Sequence, residues 1–327
     1  MRNTQRTLFD VVCTKRLPPR SVLNSTSTRG LPLPFSYTGF QILLCKRHHY
    51  FQSIKDSITR IHRRTTNPLL QHTSSSPKMS TATMDQTVSD ILHPLTSSTA
   101  TSQTITTAVD KLTSLLSSTP PSSQDESTIL SSTFSQIFNL IKTTPPPAQS
   151  PIIDFLTTLQ TRSTNPPRQH ESMSIWSELP TFGWTARDYI NFDLGNPNVS
   201  ASERESWTNI ATFLAKLTSL KKEVFDFSLF GLWSIREGLE EEGNGEDGAR
   251  LAAVWLTEAG GRLKELSDEG KSFEGRVAIP GSKFGDKSWR GFSKDRWGVW
   301  KSELQGWKEK VNDEGCKDLV GKALALM

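Results

Sequence analysis

The chain has 327 residues, a net charge of +4 and three cysteines, Cys13, Cys45 and Cys316. Three cysteines exclude a disulfide framework and fit a reducing compartment, and no apolar run approaches the roughly 20 residues a membrane helix needs. The net charge hides a division: residues 1–78 hold 13 Lys/Arg against only Asp10 and Asp56, a net +11, while the remainder has 25 basic against 32 acidic residues, a net −7.

Residues 1–79 are Arg-rich, Ser/Thr-rich and poor in acids. They read as a disordered basic leader, either a mitochondrial transit peptide or translated sequence upstream of a start at Met79 or Met84. A nucleic-acid footprint would be a basic stripe on a folded domain. Here the basic excess lies outside the expected domain, so no nucleic-acid partner is expected. The expected location is cytoplasmic or nuclear, and mitochondrial if the leader over 1–78 is real.

Residues 80–170 form a Ser/Thr/Pro-rich segment, with 35 Ser/Thr between positions 80 and 169. Four apolar-periodic stretches lie between its proline clusters. They are marked by Val88–Leu95, Ile105–Leu116, Ile129–Ile141 and Ile152–Leu159, and the spacing of three and four predicts four short helices. Ser and Thr lower helix propensity by a few tenths of a kcal/mol each, so these helices need packing partners. Thr119-Pro120, Thr144-Pro145 and Ser150-Pro151, with Ser76-Pro77 just before the segment, carry the pattern of proline-directed phosphorylation, which is also frequent by composition in such linkers.

Residues 171–327 are expected to hold the core, because all nine tryptophans lie between Trp176 and Trp307. Each large aromatic buries about 150–250 Å², a gross transfer term of roughly 4–6 kcal/mol at about 25 cal/mol per Å². Thr185, with Asp188 behind it, predicts a helix start. Ser200 to Glu203 has capping-box spacing and precedes a stripe of Trp207, Ile210, Leu214 and Leu217. The segment "VFDFSLFGLWSIREGLEEE" is apolar nearly all round at its start and predicts the most buried helix, ended by "GNG". Ala252 to Leu266 mark the next. Residues 267–292 predict a long loop, a length that is often functional inside a domain. Ser293 caps a helix whose Trp297, Trp300, Leu304, Trp307 and Val311 fall on one face, an indole seam that reads as core rather than as a stacking platform. A short helix over "CKDLVGKALAL" closes the chain. The fold class is therefore all-α, an irregular array of about eight to ten helices.

The stretch "FSKDRWGVWKSELQGW", with "ESWTNIATFLAKLTSL" and "FSLFGLWSIREGLEEE", resembles a fungal family catalogued as domain of unknown function 3632. In its pattern a Trp-rich "F/Y-S-x-x-R-W-x-x-W-K" helix follows a Gly-rich loop. The resemblance covers roughly residues 125–315. It implies a Trp-rich helical domain and brings no activity, cofactor or catalytic residue with it.

Chemical motifs are sparse. "GNGEDG" at 243–248 satisfies G-x-G-x-x-G, but a dinucleotide loop follows a strand. This one follows Glu240, Glu241 and Glu242 and reads as a solvated acidic loop. Four of the six histidines lie in the leader, and no H-E-x-x-H, C-x-x-C, G-x-S-x-G or phosphate-binding loop occurs. No metal, cofactor or catalytic residue is expected. The softer candidates are Trp184 and Arg187 beside Asp188 and Tyr189, Arg236 beside Glu237, and Trp289 and Arg290 near Lys283, Lys287 and Arg296. An Arg–carboxylate pair near indoles would clasp the long loop, or else line a pocket for an anionic small molecule, and Arg187 or Arg236 is the arginine expected to pair with an acid in the aromatic core. The leading reading is a non-enzymatic protein-interaction or scaffold module with an unknown protein partner. The alternative is a small-molecule binder or unconventional enzyme with a pocket under the 267–292 loop.

Overall fold

Hydroxyl side chains cap five of the eleven described α-helices. In the computed structural model, which describes residues 80–194, 196 and 198–327, helix α1 spans Thr81–Leu92 and is capped by Ser80 Oγ, which accepts from Thr83 N at 3.2 Å. Helix α2 (Ser102–Ser118) opens on a Thr101/Thr104 capping box. In α3 (Ser123–Thr143), Ser122 Oγ accepts from Asp125 N at 3.0 Å. Such caps satisfy N–H groups that a helix start leaves without partners. The Ser/Thr content that lowers propensity along these helices thus also fixes where they begin. The expected basic leader over residues 1–79 lies outside the described residues.

Helix α4 (Ser150–Leu159) completes the Ser/Thr-rich segment. A two-residue hairpin, β1 (Gln169–His170) with β2 (Met173–Ser174), leads to α5 (Phe182–Tyr189). Then come α6 (Ala201–Ser219), α7 (Ser228–Ile235), α8 (Gly245–Glu258), α9 (Gly260–Glu269), α10 (Lys294–Lys310) and α11 (Glu314–Leu326). The all-α class holds, with eleven α-helices among the described residues. The excess over eight to ten comes from the 252–266 stretch. It breaks at Ala259, where φ is −119° and ψ is 6°, ahead of Gly260 and Gly261. Glycine gives up about 1 kcal/mol of helix propensity relative to alanine, and two in succession end α8 there.

Two other expectations move. Thr185 does not cap a helix: α5 begins at Phe182, and Thr185 Oγ1 donates back to Thr181 O at 3.2 Å. The "GEDG" acids are not a loop. Glu246 and Asp247 form the first turn of α8, where carboxylates suit the helix dipole and meet Asn312 N at 2.7 Å and Arg204 Nε at 2.7 Å. Ser200 and Ser293 do cap α6 and α10, accepting from Glu203 N and Arg296 N.

The core runs as one apolar cluster from Met84 in α1 to Ala323 in α11. Helix α1 packs on α3, α2 on α4, and α3 on α5 and α6. Helix α7 has five of its eight residues buried and none exposed, as its apolar start predicts, and on α8 Gly248, Ala249, Ala252 and Ala253 let α6, α7 and α11 approach closely. One contact is especially tight: a Cβ on Gly238 would lie 2.1 Å from the Gly248 carbonyl oxygen. Six of the nine tryptophans are buried and the other three half-buried. On α10, Trp297, Trp300 and Leu304 face inward as the seam predicts, and Val311 just beyond it is buried.

Candidate functional site

Two regions gather polar and aromatic side chains, and they differ in how far those groups are satisfied. The first lies under the loop joining α9 to α10. The chain leaves Ile235 in a π turn, Arg236–Glu240, one residue wider than an α turn. At its end the Glu240 side chain is fully buried, and so is Arg296 in the first turn of α10. Arg296 Nε donates to Glu240 Oε1 at 2.6 Å and Nη2 to Oε2 at 2.9 Å, a forked geometry that fits the planar guanidinium.

The other valences of this pair close on the loop. Arg296 Nη1 donates to Ala278 O at 2.9 Å and Gly291 O at 3.0 Å, and Nη2 to Ile279 O at 3.2 Å. Glu240 accepts additionally from Trp300 Nε1 at 2.5 Å and from Gly281 N at 2.8 Å. All five guanidinium N–H groups are therefore used, and each carboxylate oxygen holds two donors. Trp289 and Trp300 flank the guanidinium, their ring centroids 5.4 and 5.5 Å from it. The loop is pinned elsewhere too. Phe273 N donates to Arg290 O at 2.7 Å, Phe292 N to Lys271 O at 2.8 Å, and Trp233 Nε1 to Val277 O at 2.6 Å. A Cβ on Gly281 would meet the Glu240 carbonyl oxygen at 2.5 Å, so the loop backbone lies directly on the π turn.

Of the residues singled out from sequence, Trp289 and Arg296 meet in this clasp. Arg290 is exposed and donates from Nη1 to Trp289 O at 3.1 Å. Arg236 opens the π turn, half-buried beside Glu237. Burial raises the Glu237 carboxyl above its usual range, Arg236 offsets part of this, and Glu241 adds to it. Trp184 and Arg187 lie half-buried on α5, apart from these residues in the chain and not in the clasp. The residue that sequence reasoning missed is Glu240, which sits in "EGLEEE" and looks like any solvated acid.

The second region is an open cleft of about 710 Å³ where the end of α3, the end of α5 and the start of α6 converge. Tyr189, Phe192 and Trp207 give it aromatic walls, with Phe192 stacked on Trp207 at 5.4 Å. The Lys142 ammonium sits 4.7 Å from the Tyr189 ring centroid. The Tyr189 hydroxyl lies 2.9 Å from Asn139 Oδ1. Burial raises its pKa, with a hydrogen bond toward Ser135 opposing and Asp188 adding to the rise. Ser206 Oγ and Asn209 Nδ2 both donate to Lys142 O, which ties α3 to α6 beneath the cleft. Asp188, Glu203 and Glu205 stand exposed on the rim, and among the described residues none has an ion-pair partner.

The family described as "Protein of unknown function (DUF3632)" matches residues 134–304, just over half of the chain. The chain belongs to this family. Its matched span begins in α3 and ends in α10, a little inside the 125–315 expected from the resemblance. Within the DUF3632 match fall Glu240, Trp289, Arg296 and Trp300, and also all residues lining the cleft. No curated protein and no solved structure matches the chain. Among the described residues no cluster of His, Cys, Asp and Glu is arranged to hold a metal ion, and no helix is long and apolar enough to cross a membrane.

Proposed function

We propose that the chain is a non-enzymatic protein-interaction module that docks a partner segment in the α3–α5–α6 cleft. The contrast between the two regions supports this reading. Under the 267–292 loop, where a small-molecule pocket was the alternative, the Arg296–Glu240 pair is fully buried and spends every hydrogen-bonding valence on the protein itself. The cleft instead leaves charged side chains open to water, over half-buried Tyr189 and Phe192 with Trp207 buried behind them. A small ligand is ordinarily bound with about 70–90% of its surface covered, which an open cleft does not provide. A chain segment crossing it gains contacts beyond its ends.

The test is co-purification of the tagged full chain, compared with Ser202→Trp. Ser202 is exposed on the cleft rim, so an indole there obstructs the cleft without touching the core. Loss of a stoichiometric partner in Ser202→Trp, with melting temperature unchanged, is the expected result. A partner retained at full occupancy would move the interaction away from the cleft.

A further inference from the structure

We infer that the segment received by this cleft is cationic, an arginine- or lysine-bearing stretch of a partner protein; this rests on the reading of the cleft as a docking surface. Three observations carry it. First, the rim bears Asp188, Glu203 and Glu205 against a single cation, Lys142. With no ion-pair partner among the described residues, the three carboxylates stay solvated and available. Glu203 is in the first turn of α6.

Second, the walls suit a cation. Arginine and lysine are attracted to the faces of Trp and Tyr within about 6 Å of the centroid. The cleft already contains such a contact in Lys142 over Tyr189 at 4.7 Å. The Lys142 side chain is exposed, so an incoming guanidinium can take its place over Tyr189, whose ring is stacked on Phe138 on its inner side. Third, residues 79–327, which hold the cleft, carry a net −7 although the whole chain is +4, so charge near the cleft favours a basic segment over an acidic or phosphorylated one. Arginine is also among the residues enriched at protein interfaces.

The probe is a dye-labelled, end-blocked peptide of alternating arginine and glycine, with a second peptide carrying neutral citrulline in place of arginine. Binding to the full chain is read by fluorescence anisotropy. The arginine peptide should bind more tightly than the citrulline peptide, and the preference should shrink as salt shortens the Debye length from about 30 Å at 0.01 M to about 8 Å at 0.15 M. Glu203→Gln with Glu205→Gln should weaken arginine-peptide binding about threefold to tenfold, from two exposed pairs of ordinary strength. Asp154→Asn with Glu309→Gln, exposed acids outside the cleft, removes the same charge and should change it less than twofold. Equal binding of the two peptides, or equal loss in both double variants, would overturn the inference. If Ser202→Trp still abolishes partner binding in that case, docking at the cleft stands and only the charge of its occupant is wrong. If Ser202→Trp leaves partner binding intact, the docking reading itself falls.

Discussion

Removing one partner from the clasp should destabilise the whole domain, and the structure sets how much. Glu240→Ala strands the Arg296 guanidinium, which has no solvent exposure. It also leaves Trp300 Nε1 and Gly281 N–H without an acceptor. Breaking a buried ion pair from one side costs about 3–5 kcal/mol. For a folded unit of this size each kcal/mol lowers the melting temperature by about 2–4 °C, so a fall of roughly 6–20 °C is expected by circular dichroism. Replacing both partners with apolar residues, Glu240→Leu with Arg296→Met, is often nearly neutral for a simple ion pair. Here it should not be, because Arg296 also serves the carbonyls of Ala278, Ile279 and Gly291. The double variant should therefore recover part of the loss and remain below wild type. Amide exchange should localise the effect, with Phe273, Gly281 and Phe292 exchanging faster as the loop lifts from the π turn. A Glu240→Ala protein melting within about 2 °C of wild type would refute the assignment of the pair as the fastening of the loop.

Two further outcomes follow from close packing and burial. Gly238→Ala places a methyl 2.1 Å from the Gly248 carbonyl oxygen and should cost about 1–3 kcal/mol or more as the π turn and α8 part. Gly298→Ala on the exposed side of α10, where nothing lies within 4 Å, should be neutral or stabilising by up to about 1 kcal/mol when both variants are unfolded in urea. Equal effects of the two would sink the close-contact argument. The Cys316 thiol is fully buried, and burial pushes its pKa up to about 11 from the ordinary 9.0. At pH 8 it should react with a thiol reagent far more slowly than an exposed cysteine. The folded state holds the thiol proton more tightly than the unfolded state. This contribution is therefore intact below about pH 9 and is lost as pH rises from there toward 11. Cys316→Ala should remove this part of the alkaline decline, and a decline identical to wild type would assign it to other groups.

Much of the helical array is legible because its signals are local. Trp297, Trp300 and Leu304 repeat at three and four residues, and Ser200 and Ser293 stand where a helix start needs an acceptor. The long loop shows itself by lacking either period, and an arginine between indoles at its exit announces that something anionic is needed there. What supplies the anion is not legible. Glu240 lies 56 residues from Arg296, in a run of acids whose neighbour Glu242 is exposed. It is buried only because a π turn shifts its register and a loop 41 residues away folds over it. The cleft is hidden for the same reason, since Lys142 at the end of α3 and Trp207 in α6 meet only when both helices pack. Local sequence can show that a charge requires a partner, but which charge goes without one is settled by long-range packing. Arg296 and Glu240 have closed on each other, whereas Asp188, Glu203 and Glu205 have not. A charge that the fold has already neutralised contributes to stability, and a group of like charges left beside aromatic faces is the place to look for what the chain binds.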